Sequence, residues 1–330
     1  MKLLLWKMPP KKAQQLAKDA TKKQKQEDQE QVNGIHDDRK PRPNNKGKDE
    51  NPSTKKRKMP PIKTSKPAKE PRQGAKASSR GKDAPTQKQL LQFLLSEKSL
   101  SFCYPEDELN AKASKKYSST SPTTFSPFEH LLTASLLSKP LSHMLGMRST
   151  RTLLNPPFSF NSAKAIAEAG EKRVWEALEV ARTQHRQKTA SYVIQMAEHF
   201  ADDPNLKRVK QDPVSEVQKV KGIGKTGAEL FCRRVQCLDG WDGVFPSADG
   251  KSLEACKEVG LDVKDAEDLD QVMEREVDWT QVGNMGLENP LSELRKEQKQ
   301  RLAFVLVLER AIGASLEGKL QDVRKAAAAL

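Results

Sequence analysis

The chain has 330 residues and a net charge of +14, and that excess is held in one place: residues 1–85 carry 24 basic and 10 acidic side chains, whereas residues 86–330 carry 34 of each. A basic arm is thus joined to a neutral body long enough for one large or two small domains. Several classes are excluded: no apolar run approaches the ~18 residues of a membrane span, and residues 1–6 are too short for a secretory leader. Cys103, Cys232, Cys237 and Cys256 form no Cys-x-x-Cys pair, which argues against a zinc ribbon or disulfide framework and for a reducing, intracellular setting.

Residues 8–85 are rich in Lys, Gln and Pro and nearly devoid of aromatic rings. Such a segment buries too little apolar surface to offset the entropy of ordering, so residues 1–85 are expected to be a disordered arm. Within it Lys55, Lys56, Arg57 and Lys58 form a compact cluster beside Pro60 and Pro61. The cluster reads as a nuclear-localisation or nucleic-acid-binding segment, or as a solvated charge run. Residues 86–124 read as a helix, with Leu90, Leu91, Leu94 and Leu95 at helical spacing, followed by a polar linker at 110–124.

Helix starts follow at regular intervals. Ser126-Pro127-Phe128-Glu129 is a capping box with Pro at the first helical position, and Phe128, Leu131, Leu132, Ser135 and Leu136 then share a face. Helices are expected near 172–183 and 188–200, from Asp212-Pro213 onward, over 225–237, at 250–259, and from Asn289-Pro290 through the apolar stretch 302–308. No segment alternates with period two and no repeat is evident, so the body reads as all-α.

The most specific motif is Val220-Lys221-Gly222-Ile223-Gly224-Lys225-Thr226-Gly227, set between two amphipathic helices. Gly tolerates positive φ and close backbone approach. Ile223 can then tuck inward while the amides from Gly224 onward point out at a helix start, an array suited to a phosphate oxygen, with Lys221 and Lys225 adding charge. An ordinary tight helix–helix turn is the competing reading. The spacing excludes a nucleotide P-loop. Downstream, Asp239, Gly240, Trp241, Asp242, Gly243, Val244, Phe245, Pro246, Ser247, Ala248 and Asp249 form a Gly/Pro-containing loop ending in an acid before the next helix. Asp249 is a candidate N-cap, a candidate catalytic carboxylate, or both. Trp241 is open to core packing or base stacking.

Hairpin, loop and terminal Asp together resemble the helix-hairpin-helix–GPD superfamily of DNA glycosylases, over roughly residues 125–275 with weaker likeness to about 312. The resemblance implies an all-α, bilobal helical fold over 125–312, with the hairpin at about 214–236, the acid-terminated loop at 239–249 and a C-terminal tail at 313–330. It implies a protein that binds double-stranded DNA through Lys221, Gly222, Ile223, Gly224, Lys225, Thr226 and Gly227, flips a damaged base into a cleft and hydrolyses its glycosidic bond with Asp249. Members that also cleave the backbone place a Lys where this chain has Thr226, and many carry a four-Cys iron–sulfur cluster after the loop, where this chain has no Cys beyond Cys256. A monofunctional, cofactor-free, metal-free enzyme is therefore expected, nuclear and monomeric, without membrane attachment. The alternatives are a DNA-binding module without catalysis, and a chromatin- or RNA-associated protein binding through its basic arm. Residues 139–234 hold 17 basic and 10 acidic side chains and residues 237–330 hold 12 and 19, so the hairpin half is the positive half.

Overall fold

A computed structural model describes residues 84–111, 122–287, 291 and 294–330. The cluster Lys55, Lys56, Arg57 and Lys58, almost all of the basic arm and most of the 110–124 linker lie outside the described residues. Among the described residues the chain forms thirteen α-helices joined by short 3-10 turns and loops, with no strand. In chain order they are α1 (Gln87–Leu94), α2 (Leu100–Cys103), α3 (Glu106–Leu109), α4 (Pro127–Leu137), α5 (His143–Leu154), α6 (Ala163–Val180), α7 (Arg186–His199), α8 (Pro213–Gln218), α9 (Lys225–Val235), α10 (Gly250–Val259), α11 (Ala266–Glu276), α12 (Lys296–Leu316) and α13 (Leu320–Ala328). No helix among them is long and apolar enough to cross a membrane.

The helices gather around two hydrophobic cores. The first is built by α4 to α9, with Phe128, Leu132, Ile166, Val193, Phe200 and Phe231 among its members. Trp241 belongs to it, 2% exposed and edge-on to Phe231 at 5.5 Å, which assigns it to packing. The second core joins α1 to α10, α11, α12 and α13, so the chain's first described helix returns to pack against its last. α12 is apolar on every side from Leu302 to Leu308 and is accordingly buried. Leu137, at the end of α4, packs against both cores.

Local chemistry sets these elements. Ser126 accepts from the Glu129 amide while the Glu129 carboxylate accepts from the Ser126 amide, and Pro127 stands at the first helical position, as the capping box requires. Asp212 caps α8 ahead of Pro213, its carboxylate accepting from the Ser215 amide at 3.2 Å. Several starts differ from the sequence reading. The helix expected near 172–183 begins at Ala163, where Ser162 caps it, and Gly170 (φ +75°) breaks it midway. α2, α3, α5 and α11 were not anticipated; Ser142 caps α5 and Asp265 caps α11. The last long helix starts at Lys296, with the Arg295 amide bonded to Gln298; Asn289-Pro290 lies outside the described residues. Residues 313–330, set apart above as a tail, hold the end of α12 and all of α13, whose Val323 and Ala327 are buried in the second core.

Arg310 ties α1 into that core. It is fully buried, and its guanidinium donates to the carbonyls of Leu94, Ser96 and Met285 and approaches the Ser99 hydroxyl at 3.3 Å. It thereby shares with Ser99 the last carbonyl of α1, Leu94, and that of Ser96 just beyond the helix end.

Candidate functional site

The site begins at the turn from α8 to α9. The Ile223 amide donates to Val220 at 3.1 Å, Gly222 stands at φ +90°, and the Ile223 side chain points into the first core. α9 then starts at Gly224 without a side-chain cap, and its first intrahelical bond runs from the Ala228 amide to the Gly224 carbonyl. Lys221, Gly224, Lys225 and Thr226 are exposed, whereas Gly227 is buried against Ile223 and Ser138. The amides of the first turn of α9 are therefore left for water or a ligand.

The two glycines differ in what holds them. A Cβ on Gly222 would lie 2.3 Å from the Tyr192 ring, so both its backbone angle and its neighbour exclude other residues. A Cβ on Gly224 would meet nothing within 4 Å, and its backbone is extended. Nothing inside the described chain demands glycine there.

Around the turn, lysines accumulate. Lys139 follows α4 and donates to the Gly222 carbonyl at 2.6 Å. Its ammonium lies 5.0 Å from the centre of the Tyr192 ring, and that of Lys188 lies 5.7 Å from the same ring. Burial, reinforced by the Lys188 charge, holds the Lys139 ammonium below its ordinary pKa. Lys225, exposed, pairs loosely with the half-buried Glu229 at 3.6 Å, a contact of small energetic weight.

Asp249 sits at the N-terminus of α10, 6% exposed. One carboxylate oxygen accepts from the Ser252 amide at 3.0 Å; the other accepts from Arg233 Nη1 at 2.6 Å and lies 3.0 Å from the Ser252 hydroxyl. Arg233 donates through Nη2 to Glu309 of α12 at 2.8 Å, and Arg234 donates to the other Glu309 oxygen at 2.8 Å. Two carboxylates and two guanidiniums thus neutralise each other in a buried chain across α9, α10 and α12. Burial pushes the Asp249 carboxyl up, but Arg233 and the Ser252 donors outweigh it and hold the pKa below the ordinary Asp value. Glu309 is likewise held low: burial raises it, and Arg233 and Arg234 more than compensate. Asp249 is therefore a permanent anion at neutral pH, in the positive field of a helix start.

A cavity of about 290 Å³ opens between the α4–α5 turn and this network. Asp249, Arg233 and Glu309 line it together with Thr226 from the first turn of α9 and Lys251 from α10; Leu137, Leu230 and Ile312 supply apolar wall. The structure thus brings Asp249 and Thr226 into one cleft, with the exposed hairpin residues Lys221, Gly224 and Lys225 beside Thr226 on the adjoining turn. Asp249 caps α10, as one of its two sequence readings has it, and it also lines a cavity.

Arg233 and Glu309 were not singled out in the sequence. A signal was present: Glu309 directly follows the apolar run Leu302 to Leu308, and a buried carboxylate requires a cation. The four cysteines do not cluster; burial pushes each thiol up to about 12. Among the described residues no group of three or more His, Cys, Asp or Glu side chains is placed to hold a metal ion. Compared with known proteins, the chain matches no family model, no curated protein and no solved structure.

Proposed function

We propose that this protein binds double-stranded DNA through the α8–α9 hairpin and acts in base-excision repair as a monofunctional DNA N-glycosylase of the helix-hairpin-helix–GPD kind, with nuclear import directed by Lys55, Lys56, Arg57 and Lys58. The observation that carries the reading is that an ionised carboxylate, Asp249, shares a cavity with the first turn of the hairpin's second helix. Gly224 supports it, since its open surroundings suit close approach by a phosphate to the uncapped amides.

In this mechanism the hairpin holds the phosphodiester backbone and the cleft receives the flipped nucleotide. As the bond from sugar C1′ to the base nitrogen breaks, positive charge grows on the sugar, and Asp249, preorganised by Arg233 and Ser252, stabilises it. Water adds to C1′ and gives up a proton. Thr226 stands where members that also cleave the backbone carry their Lys, so the proposed chemistry is hydrolytic and passes through no imine.

The test incubates the full chain with duplexes bearing assorted lesions and then adds alkali. Strand breaks are expected only after alkali, borohydride is expected to trap no covalent complex, and Asp249→Asn is expected to abolish base release while duplex binding is retained. Borohydride trapping would overturn the monofunctional assignment. The second reading, a DNA-binding module without catalysis, is favoured by the bonding of Asp249 itself, whose two oxygens already have three partners. Duplex binding without base release from any lesion is its expected signature.

A further inference from the structure

A second cavity of about 290 Å³ opens between the α4–α5 turn and the start of α7. It is distinct from the cleft that Asp249 lines, although Lys139, Pro140 and Leu141 contribute to both. Pro140, Leu141 and the Tyr192 ring give it apolar wall, and no Asp or Glu is among its described lining residues. Lys139 and Lys188 both hold their ammoniums against the Tyr192 ring, at 5.0 and 5.7 Å from its centre. The Gly222 carbonyl takes one N–H of Lys139 and leaves its other donors free. Lys188 is exposed, and neither lysine has an ion pair among the described residues. Two like charges thus share one ring with no carboxylate between them.

The start of α7 adds donors to these charges. α7 is 14 residues long; its N-cap His185 makes no side-chain capping bond, and its first turn carries no acid. The first-turn amides therefore have no acceptor, and nothing offsets the positive end of the helix. Gln184 and His185 ahead of the helix, with Lys188 and Thr189 of its first residues, line the cavity, so the uncapped end opens on it. Thr189 is an independent sign of a missing partner. It is 7% exposed and lines the cavity, yet its hydroxyl makes no hydrogen bond among the described residues. Helical threonine can bond back to a carbonyl one turn earlier; this one does not. A buried hydroxyl without a partner is costly. Ammoniums, amides and this hydroxyl together lack an acceptor that carries negative charge.

We propose that this groove is a phosphate site separate from the α8–α9 hairpin, in which Lys188, the Thr189 hydroxyl and the first-turn amides of α7 hold the phosphate oxygens. A phosphate group offers several acceptor oxygens at once, which suits donors of these three kinds. Lys139 joins the groove to the hairpin through the Gly222 carbonyl. That position favours the duplex backbone as the source, with the hairpin and the groove holding different phosphates of one duplex. The source rests on the DNA-binding reading above; the site itself does not. A free phosphomonoester such as a mononucleotide presents the same chemistry.

The test uses the full chain and four variants. Lys188→Gln removes an exposed charge, Thr189→Val removes the hydroxyl at nearly constant volume, and Thr189→Ser keeps it. Lys264→Gln, at an exposed position between α10 and α11, is the control. Affinity for an undamaged duplex is measured by fluorescence anisotropy across salt concentrations, and binding of deoxyadenosine 5′-monophosphate by phosphorus NMR line broadening. Lys188→Gln is expected to lower the salt slope by about 0.9 and to weaken duplex binding at least threefold. Thr189→Val is expected to weaken it roughly threefold with the slope unchanged, and Thr189→Ser to bind as the parent does. A lysine that merely adds charge to the surface does not produce that Thr189 pattern. Lys264→Gln is expected to change neither quantity. This pattern without line broadening assigns the site to the duplex backbone. Line broadening that Lys188→Gln and Thr189→Val both abolish, in a chain that binds no duplex, supports the site with a free phosphomonoester as its ligand and rejects the DNA-binding reading. If Lys188→Gln and Thr189→Val both match Lys264→Gln on both ligands, the proposal is overturned, and the hairpin reading stands or falls separately on Gly224→Asp. A Lys188 effect with Thr189→Val at parental affinity for both ligands would overturn it as well, since Lys188 is then a surface charge and the groove holds nothing.

Discussion

Asp249, Arg233 and Glu309 lie on three different helices and are joined by hydrogen bonds of 2.6 and 2.8 Å, so each fixes the position of the others. Removing one charge from such a buried set strands its partner. Asp249→Asn keeps an acceptor for the Ser252 amide, since Asn caps helices as well as Asp does, but it takes an anion from Arg233. The expected loss is roughly 2–4 kcal/mol at neutral pH, toward the lower end because Arg233 retains Glu309. The sign with pH is fixed by the lowered Asp249 and Glu309 carboxyls. Their contribution is complete above the unfolded carboxylate range near pH ~4 and is lost as pH falls through the lower folded values. Melting curves of the two proteins are therefore expected to converge below about pH 4; a gap that stays constant into acid would show that the Asp249 charge contributes nothing. The capping role of Asp249 was legible in the sequence because a cap is a local pattern of Asp followed by Ser three residues on. The pairing with Arg233 and Glu309 was not, because hydrophobic spacing does not say which of many charges meet across 16 and 76 residues of chain.

Among the helices, those whose first turn carries its own stop and start chemistry were readable: α4 and α8, each with a capping side chain followed by Pro, and α10 behind Asp249. α6 was misplaced because Gly170 interrupts its apolar spacing, so that only the second half showed a clean face. The hairpin turn was legible as a pattern, and the structure adds that its glycines are not equivalent. Gly222→Ala meets both a positive φ and the Tyr192 ring, and a loss of about 1–3 kcal/mol in stability is expected from denaturant unfolding. Gly224→Asp is different in kind. An Asp at this position would cap α9 and is expected to raise stability by a few tenths of a kcal/mol, while placing a negative charge on the amides offered to phosphate. Duplex binding is then expected to weaken for all sequences alike, since phosphate contacts carry no base information. A variant that is more stable yet binds more weakly separates a ligand role from a structural one. Unchanged affinity by fluorescence titration, with the fold intact, would remove the hairpin from the DNA interface.

Over the whole molecule, the all-α reading followed from the absence of period-two alternation, but the arrangement into two cores did not follow from any local pattern. The second core unites residues near 90 with residues beyond 255, and Arg310 fastens that junction by reaching carbonyls more than 200 positions earlier in the chain. The hydrophobic spacing at Leu90, Leu91, Leu94 and Leu95 announced a buried helix without saying what would bury it. Charge is distributed on the same scale. The body from residue 86 onward is neutral, and the entire +14 belongs to the segment before it. The proposed DNA binding would then draw on two separable sources: a localised one at the α8–α9 hairpin and a diffuse one in the arm. Each phosphate neutralised contributes about 0.9 to the slope of log affinity against log salt. Deleting residues 1–83 removes the diffuse source and leaves the Thr86 cap of α1 in place. The truncated protein is expected to lose several units of salt slope and much of its affinity for undamaged duplex, while its melting temperature stays the same. If the slope is unchanged, the arm does not touch DNA and the hairpin half supplies all the phosphate contacts. If the melting temperature falls, the segment before α1 packs on the body, and the boundary of the folded unit moves toward the N-terminus.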